Sequence, residues 1–180
     1  MILSILIPTL PERAHLLQRV LGLLGAHPEV EILTDARGRE VTTGEKRNAL
    51  IDRASGEYTV FVDDDDFPQP GYINEIIHSI RMNDYPDCIT FNGWYTENLG
   101  PNIPFVIKLG EKYEARNGVV YRWPNHLVPM KKRIAQSVRF PNKTLGEDYE
   151  WSRQIAQRGL IKTSYHIDKK LYYYDYRSNK

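Results

Sequence analysis

The chain has 180 residues, 41% of them hydrophobic and 26% charged, with a formal net charge of +1. That is the composition of an ordinary globular protein, long enough for a sizeable core and most simply one domain. The near-neutral balance gives no reason to expect a nucleic-acid partner, and the single cysteine, Cys88, excludes an internal disulfide and reads as a buried thiol in a reducing, cytoplasmic setting.

Residues 2–7 are apolar, too short to span a bilayer, and stop at Pro8, so they read as a first strand rather than a signal or membrane segment. Thr9 and Glu12 have capping-box spacing ahead of an amphipathic helix over 14–24 that Gly25 closes. A strand over 30–34 ends at Asp35. A helix over 45–54, stopped by Gly56, delivers the chain into a strand over 58–62, and a helix over 72–81 precedes a strand over 88–91. Strands alternating with helices predict an α/β fold, a mostly parallel sheet with helices on both faces and a ligand crevice at the carboxyl ends of the strands. Pro8-Thr9, Asp35 and Asp63 fall at three such ends and so share one rim.

Around Gly93 the character changes. Aromatic and Pro/Gly/Asn-rich stretches flank apolar runs at 105–109 and 119–123, which read as antiparallel strands joined through Asn117-Gly118. A helix over 148–158 ends at Gly159, and strands over 161–165 and 171–174 finish the chain. With no linker and no internal repeat, residues 1–92 and 93–180 are expected to be two halves sharing one sheet. The second is the partner-recognition half. No basic amphipathic helix stands out, so action at a membrane would require peripheral docking.

Four consecutive aspartates, Asp63-Asp64-Asp65-Asp66, follow the apolar strand 58–62. Carboxylates packed this closely at a strand mouth repel one another and lose hydration, which is costly unless a cation or a strong donor network meets them. Hard oxygen ligands suit Mg²⁺ or Mn²⁺, ions that keep open positions for substrate phosphates; a solvated acidic turn is the plainer alternative.

The stretch Gly56-Glu57-Tyr58-Thr59-Val60-Phe61-Val62-Asp63-Asp64-Asp65-Asp66, with Pro70 beyond it, resembles the signature strand and DxD motif of family-two nucleotide-sugar glycosyltransferases of the GT-A fold. Other elements follow in the family's order. They are Ser4-Ile5-Leu6-Ile7-Pro8-Thr9, Asp35, Lys46-Arg47-Asn48-Ala49, Gly146-Glu147-Asp148-Tyr149-Glu150 and the closing Tyr172-Tyr173-Tyr174-Asp175-Tyr176-Arg177. The resemblance implies a metal-dependent, inverting transfer of a sugar from a UDP-sugar to a glycan or other hydroxyl acceptor. Its register makes Asp65 the ligand of Mn²⁺ or Mg²⁺ and turns Asp63 toward the ribose or an outer-shell water, with Asp64 and Asp66 in support. Pro8 and Thr9 join the donor site, Asp35 accepts from uracil, and Arg47 approaches the base or phosphates. Asp148 is the general base, and His166 is a candidate distal metal ligand. Glu147, Trp94, Trp123 and Trp151 are candidates for the acceptor side, where aromatic faces suit sugar C–H surfaces.

Plainer readings stand beside these. Asp35 also fits a turn, Arg47 a solvated helix face, and Glu147 and Asp148 the first turn of a helix. His126 and His166 fit packed or surface positions as well as a metal site or acceptor pocket, and the three tryptophans fit a core. The terminal tyrosines read as bracing a last strand. A sugar nucleotidyltransferase is the enzymatic rival, although Pro8-Thr9-Leu10-Pro11 lacks the Gly-rich, basic chemistry of a phosphate loop. A non-catalytic sugar-nucleotide or glycan-binding module is the other. No motif in 94–125 reads the transferred sugar, the acceptor or the linkage.

Overall fold

The computed structural model describes residues 1–176. β1 (Leu3–Pro8) is buried at every residue, the pattern of a strand covered on both faces. It pairs in parallel with β2 (Val30–Asp35) on one side and β3 (Tyr58–Phe61) on the other. α1 (Ala14–Leu24) and α2 (Thr43–Arg53) are carried by the two crossovers. Pro8 lies opposite Asp35, and Leu6 opposite Phe61, so the carboxyl ends of the three strands form the expected rim.

β4 (Phe67–Pro68) and α3 (Tyr72–Met82) lead to the long β5 (Cys88–Glu97). Then come β6 (Ile103–Ile107), β7 (Glu114–Arg116), β8 (Val119–Arg122) and β9 (Met130–Lys131). α4 (Lys132–Gln136), α5 (Glu147–Gln157) and β10 (Ser164–Tyr176) complete the described chain. The mixed sheet runs β2-β1-β3-β9-β5-β6-β8-β7, with β10 on β5 and β4. β9 is the antiparallel bridge between β3 and β5, whereas the long pairings, β1 with β2 and β5 with β10, are parallel. The α/β, mostly parallel fold class read from the sequence holds.

Three local expectations are corrected. Thr9 and Glu12 form no capping box: Pro11–Arg13 is a 3₁₀ turn, and the Thr9 hydroxyl turns to Asp64 instead. The capping box lies at Thr42 and Glu45, where side chain and backbone exchange bonds at the start of α2. The runs at 105–109 and 119–123 are not hairpin partners. β6 and β8 pair in parallel, and the Asn117-Gly118 turn, with both residues at positive φ, closes β7 onto β8. The two expected terminal strands are one, β10, whose register on β5 shifts between Ile167 and Tyr172. The closing Arg177 lies outside the described residues.

The core draws side chains from both halves. Phe140 stacks on Trp151 with ring centres 4.5 Å apart and meets Phe61 edge-on at 5.4 Å. Cys88 is the buried free thiol expected of it, and burial pushes its pKa up. Among the described residues no helix is long and apolar enough to cross a membrane.

Candidate functional site

A cleft of about 890 Å³ opens at the carboxyl ends of β1 and β3. Pro8, Thr9 and the aspartate run line one wall; Asn125, His126 and the start of α5 line the other. The acidic run is met by a donor network. Asp63 pairs with Arg47 Nη2 at 2.9 Å and lies 3.8 Å from His126 Nε2. Burial opposes its ionisation, but Arg47 and His126 outweigh that and hold the carboxyl below the usual carboxylate range. Asp64, 2% exposed, accepts from the Thr9 hydroxyl at 2.5 Å, and burial raises its pKa. Asp64 and Asp65 both reach Arg13 Nη2, at 2.8 and 2.6 Å. Asp66 accepts from the Tyr172 hydroxyl at 2.7 Å, and Arg19 donates to the backbone carbonyls of Asp64 and Asp66.

Among the described residues no group of three or more His, Cys, Asp or Glu side chains is placed to hold a metal. A cage made of protein alone is therefore not present. The convergence of Asp64 and Asp65 on one cationic nitrogen nevertheless puts two hard-oxygen ligands around a position of positive charge. That donor set fits a divalent ion held by one or two carboxylates and completed by substrate phosphates.

The opposite wall is set by two glycines. At Gly44, in the first turn of α2, an added Cβ would sit 1.9 Å from the carbonyl oxygen of Pro141, so the absent side chain lets the loop before α5 close on α2. Gly44 N–H donates to the Lys143 carbonyl, and the Glu45 N–H is taken by the Thr42 cap, so neither is available for a phosphate. Gly146 caps α5 at φ 72°, a conformation that favours glycine, and aims Glu147 and Asp148 from the first helical turn into the cleft.

Arg47, 3% exposed, ties the two walls together. Its Nε donates to Glu147 at 3.2 Å while its Nη2 holds Asp63, and its guanidinium lies over the Phe61 ring at 4.8 Å. Burial works against its charge, but Asp63 and Glu147 overcome that and raise its pKa further. Burial raises the pKa of Glu147, and Arg47 only partly offsets it. His126, 7% exposed, sits between Asp63 and Asp148: its Nδ1 is 3.3 Å from Asp148 Oδ2 yet has no hydrogen-bond partner. Arg47 Nη1 is likewise buried and unpartnered. Two paths, through Arg47 to Glu147 and through His126 to Asp148, thus join the aspartate run to α5.

Pro8, Thr9, Arg47, Asp63, Asp64, Asp65, Glu147 and Asp148 come together as expected. Others do not. Asp35 is closed off by Arg37, whose Nε lies 2.9 Å and Nη2 2.5 Å from its carboxylate, and it is not on the cleft wall. His166 stands away from the aspartates, with Nδ1 2.9 Å from the Thr90 hydroxyl and a pKa lowered by burial. Trp151, 1% exposed, is core: its indole donates to the Val138 carbonyl at 3.0 Å. Trp94 lies under Lys170 outside the cleft, and Trp123 donates to the Ser152 hydroxyl behind Tyr113. The aromatic side chains on the cleft wall are instead Tyr113, Tyr174 and Tyr176, so the last strand does more than brace. Sequence reasoning missed Arg13, Tyr113 and Arg122. Arg13 gave one signal, a basic residue just after the first strand's rim; the other two gave none.

Residues 35–109 match the family model described as glycosyl transferase family 2. Among solved structures the chain is similar to S. aureus TarS 1-349, with a TM-score of 0.71 at 16% identity over 97% of this chain and 60% of that one. Its complex with UDP-GlcNAc matches with a TM-score of 0.70 at 14% identity, over 100% of this chain and 60% of that one. Its complex with UDP matches at 0.71 and 15%, over 98% and 61%. The chain therefore spans about three-fifths of the length of these structures. No curated protein matches it. The resemblance to family-two glycosyltransferases is borne out by the family match, and the fold by the solved structures.

Proposed function

We propose that this chain, with its family-two match and GT-A fold, transfers a sugar from a nucleotide-sugar donor, a UDP-sugar, to a glycan or other hydroxyl acceptor with inversion. The observation that carries this reading is the cleft itself, in which the aspartate run after β3 faces Asp148 at the start of α5 across Arg47 and His126. The two TarS complexes, one with UDP-GlcNAc and one with UDP, support a uridine nucleotide as the donor's carrier. On this reading residues 1–180 act as one unit, with the donor on the first half and the acceptor on the second.

Asp65, with Asp64 beside it, would hold Mn²⁺ or Mg²⁺, which when bound neutralises charge developing on the leaving nucleoside diphosphate. The chain's own residues do the rest. Asp63, kept ionised by Arg47, accepts from the ribose hydroxyls, and Pro8 and Thr9 shape the wall beneath. Asp148 takes the proton of the acceptor hydroxyl as its oxygen attacks the anomeric carbon opposite the departing diphosphate, which inverts that centre. Glu147, buried on Arg47, holds the start of α5 in place for that transfer.

A screen of UDP- and GDP-sugars for divalent-dependent hydrolysis tests donor, metal and competence together. Release of UDP that needs Mn²⁺ or Mg²⁺ is expected. Formation of UTP and sugar 1-phosphate from a UDP-sugar when pyrophosphate is supplied would point to nucleotidyl transfer, and tight UDP binding without turnover to a binding module.

A further inference from the structure

Arg122, half-buried at the end of β8, differs from Arg47, the arginine that joins the two walls of this cleft. Arg47 has two carboxylates; Arg122 has no acidic partner among the described residues. Its guanidinium carbon instead lies among four rings, 5.3 Å from the centres of Phe105 and Tyr174, 5.4 Å from Tyr95 and 5.7 Å from Tyr113. Among the described residues the one hydrogen-bond partner of its guanidinium is the Tyr174 hydroxyl, on Nη2, and Nε is buried with none. Ring faces stabilise a cation from above and below but do not satisfy the donors along its edge. A part-buried charge whose Nε donor is left unpaired is costly, and the edge belongs to a side chain that lines the cleft.

The place is specific. Tyr113, one of the four rings, accepts from Asn125 at 3.1 Å, and Asn125 precedes His126, the neighbour of Asp148. Tyr149, next after Asp148, meets Tyr113 edge-on at 5.6 Å. The cage is thus one ring away from the proposed base. A planar guanidinium fork matches the paired oxygens of a phosphate or carboxylate.

We propose that Arg122 in its cage of Tyr95, Phe105, Tyr113 and Tyr174 is an oxyanion subsite on the acceptor side of the cleft, so the acceptor carries a phosphate or carboxylate close to the hydroxyl that is glycosylated. This rests on the transferase reading above. The donor's own diphosphate is the other source of the same chemistry, and the test separates the two. Inorganic phosphate is titrated by calorimetry into the full chain, first free and then saturated with UDP and Mg²⁺. Phosphate should still bind when UDP is in place, and Arg122→Gln should weaken that binding at least tenfold while UDP affinity stays within twofold of wild type. Arg122→Lys, which keeps the charge without the fork, should lose several-fold and serves if the glutamine variant melts early. Phosphate binding abolished by UDP, or a parallel loss of UDP affinity in Arg122→Gln, would assign Arg122 to the donor diphosphate and overturn the proposal. Unchanged phosphate affinity in both variants would overturn it as well. A wild-type chain that binds no UDP would fail the transferase reading, while the titration of the free chain would still report on Arg122.

Discussion

The two walls of the cleft are built by different kinds of structure. The donor wall comes from the ends of adjacent parallel strands, β1 and β3, where a short polar run after an apolar one reaches the rim without help from the rest of the chain. The acceptor wall is assembled from pieces far apart in sequence: the 3₁₀-free loop around His126, the first turn of α5, and Tyr174 from the last strand. Local chemistry therefore decides the first wall and long-range packing the second. Arg47 and His126 connect them through Asp63, and Tyr172 of the last strand reaches the acidic run at Asp66.

Removing that connection is the severest disturbance. Arg47→Met leaves the buried Glu147, and the partly exposed Asp63 beside it, without their cation, and a loss of about 3–5 kcal/mol in urea unfolding is expected. A stability within 1 kcal/mol of wild type, taking roughly the ordinary surface range as the yardstick, would mean the walls are held together by other contacts. Trp151→Ala should cost about 3–5 kcal/mol by emptying the space stacked on Phe140. Were Trp151 an acceptor platform, KM would rise while the melting curve stayed in place. Asp65→Ala acts on the donor wall alone: at least a tenfold loss of Mn²⁺ affinity, about 1.4 kcal/mol, with thermal stability retained. Equal Mn²⁺ binding by variant and wild type would remove the metal from this run.

The smallest expected effect concerns Asp35. Burial would raise its pKa, but the bonds from Arg37 outweigh burial and hold it below the usual range. A carboxyl depressed in the folded state stabilises above its unfolded pKa, near 4, and that contribution is lost as pH falls through the folded value. Asp35→Asn should therefore flatten the acid limb of the stability curve below about pH 5. Superimposable curves for variant and wild type would contradict the ion pair.

The sequence was legible where a residue's position follows from its own strand. Leu3–Pro8 and Tyr58–Phe61 are short apolar runs with polar ends, and both ends reach the cleft. Asp35 obeyed the same rule and reaches the rim, yet Arg37 two residues on covers its carboxylate, a side-chain choice that spacing does not encode. In the second half the aromatic composition announced a binding surface but not which rings face it. Trp151 points into the core because α5 packs its Trp151 and Ile155 inward, while Tyr174 reaches the cleft through the pairing of β10 with β5, and Tyr113, just before β7, through the pairing of β7 with β8 and of β8 with β6. Of the two histidines the family resemblance favours His166 as a distal ligand; the fold instead brings His126 to the cleft by placing its loop beside Phe61, whose N–H bonds the His126 carbonyl at 3.0 Å.

The most direct test of two walls meeting over one reaction is Asp148→Asn assayed twice on the same preparation, for UDP binding in Mn²⁺ by calorimetry and for UDP release from the donor that the screen identifies. The expected result is UDP affinity within twofold of wild type and turnover lowered by about 10²–10⁴. Turnover near the wild-type rate would contradict a base on α5, and a parallel loss of UDP affinity would place Asp148 on the donor side of the cleft.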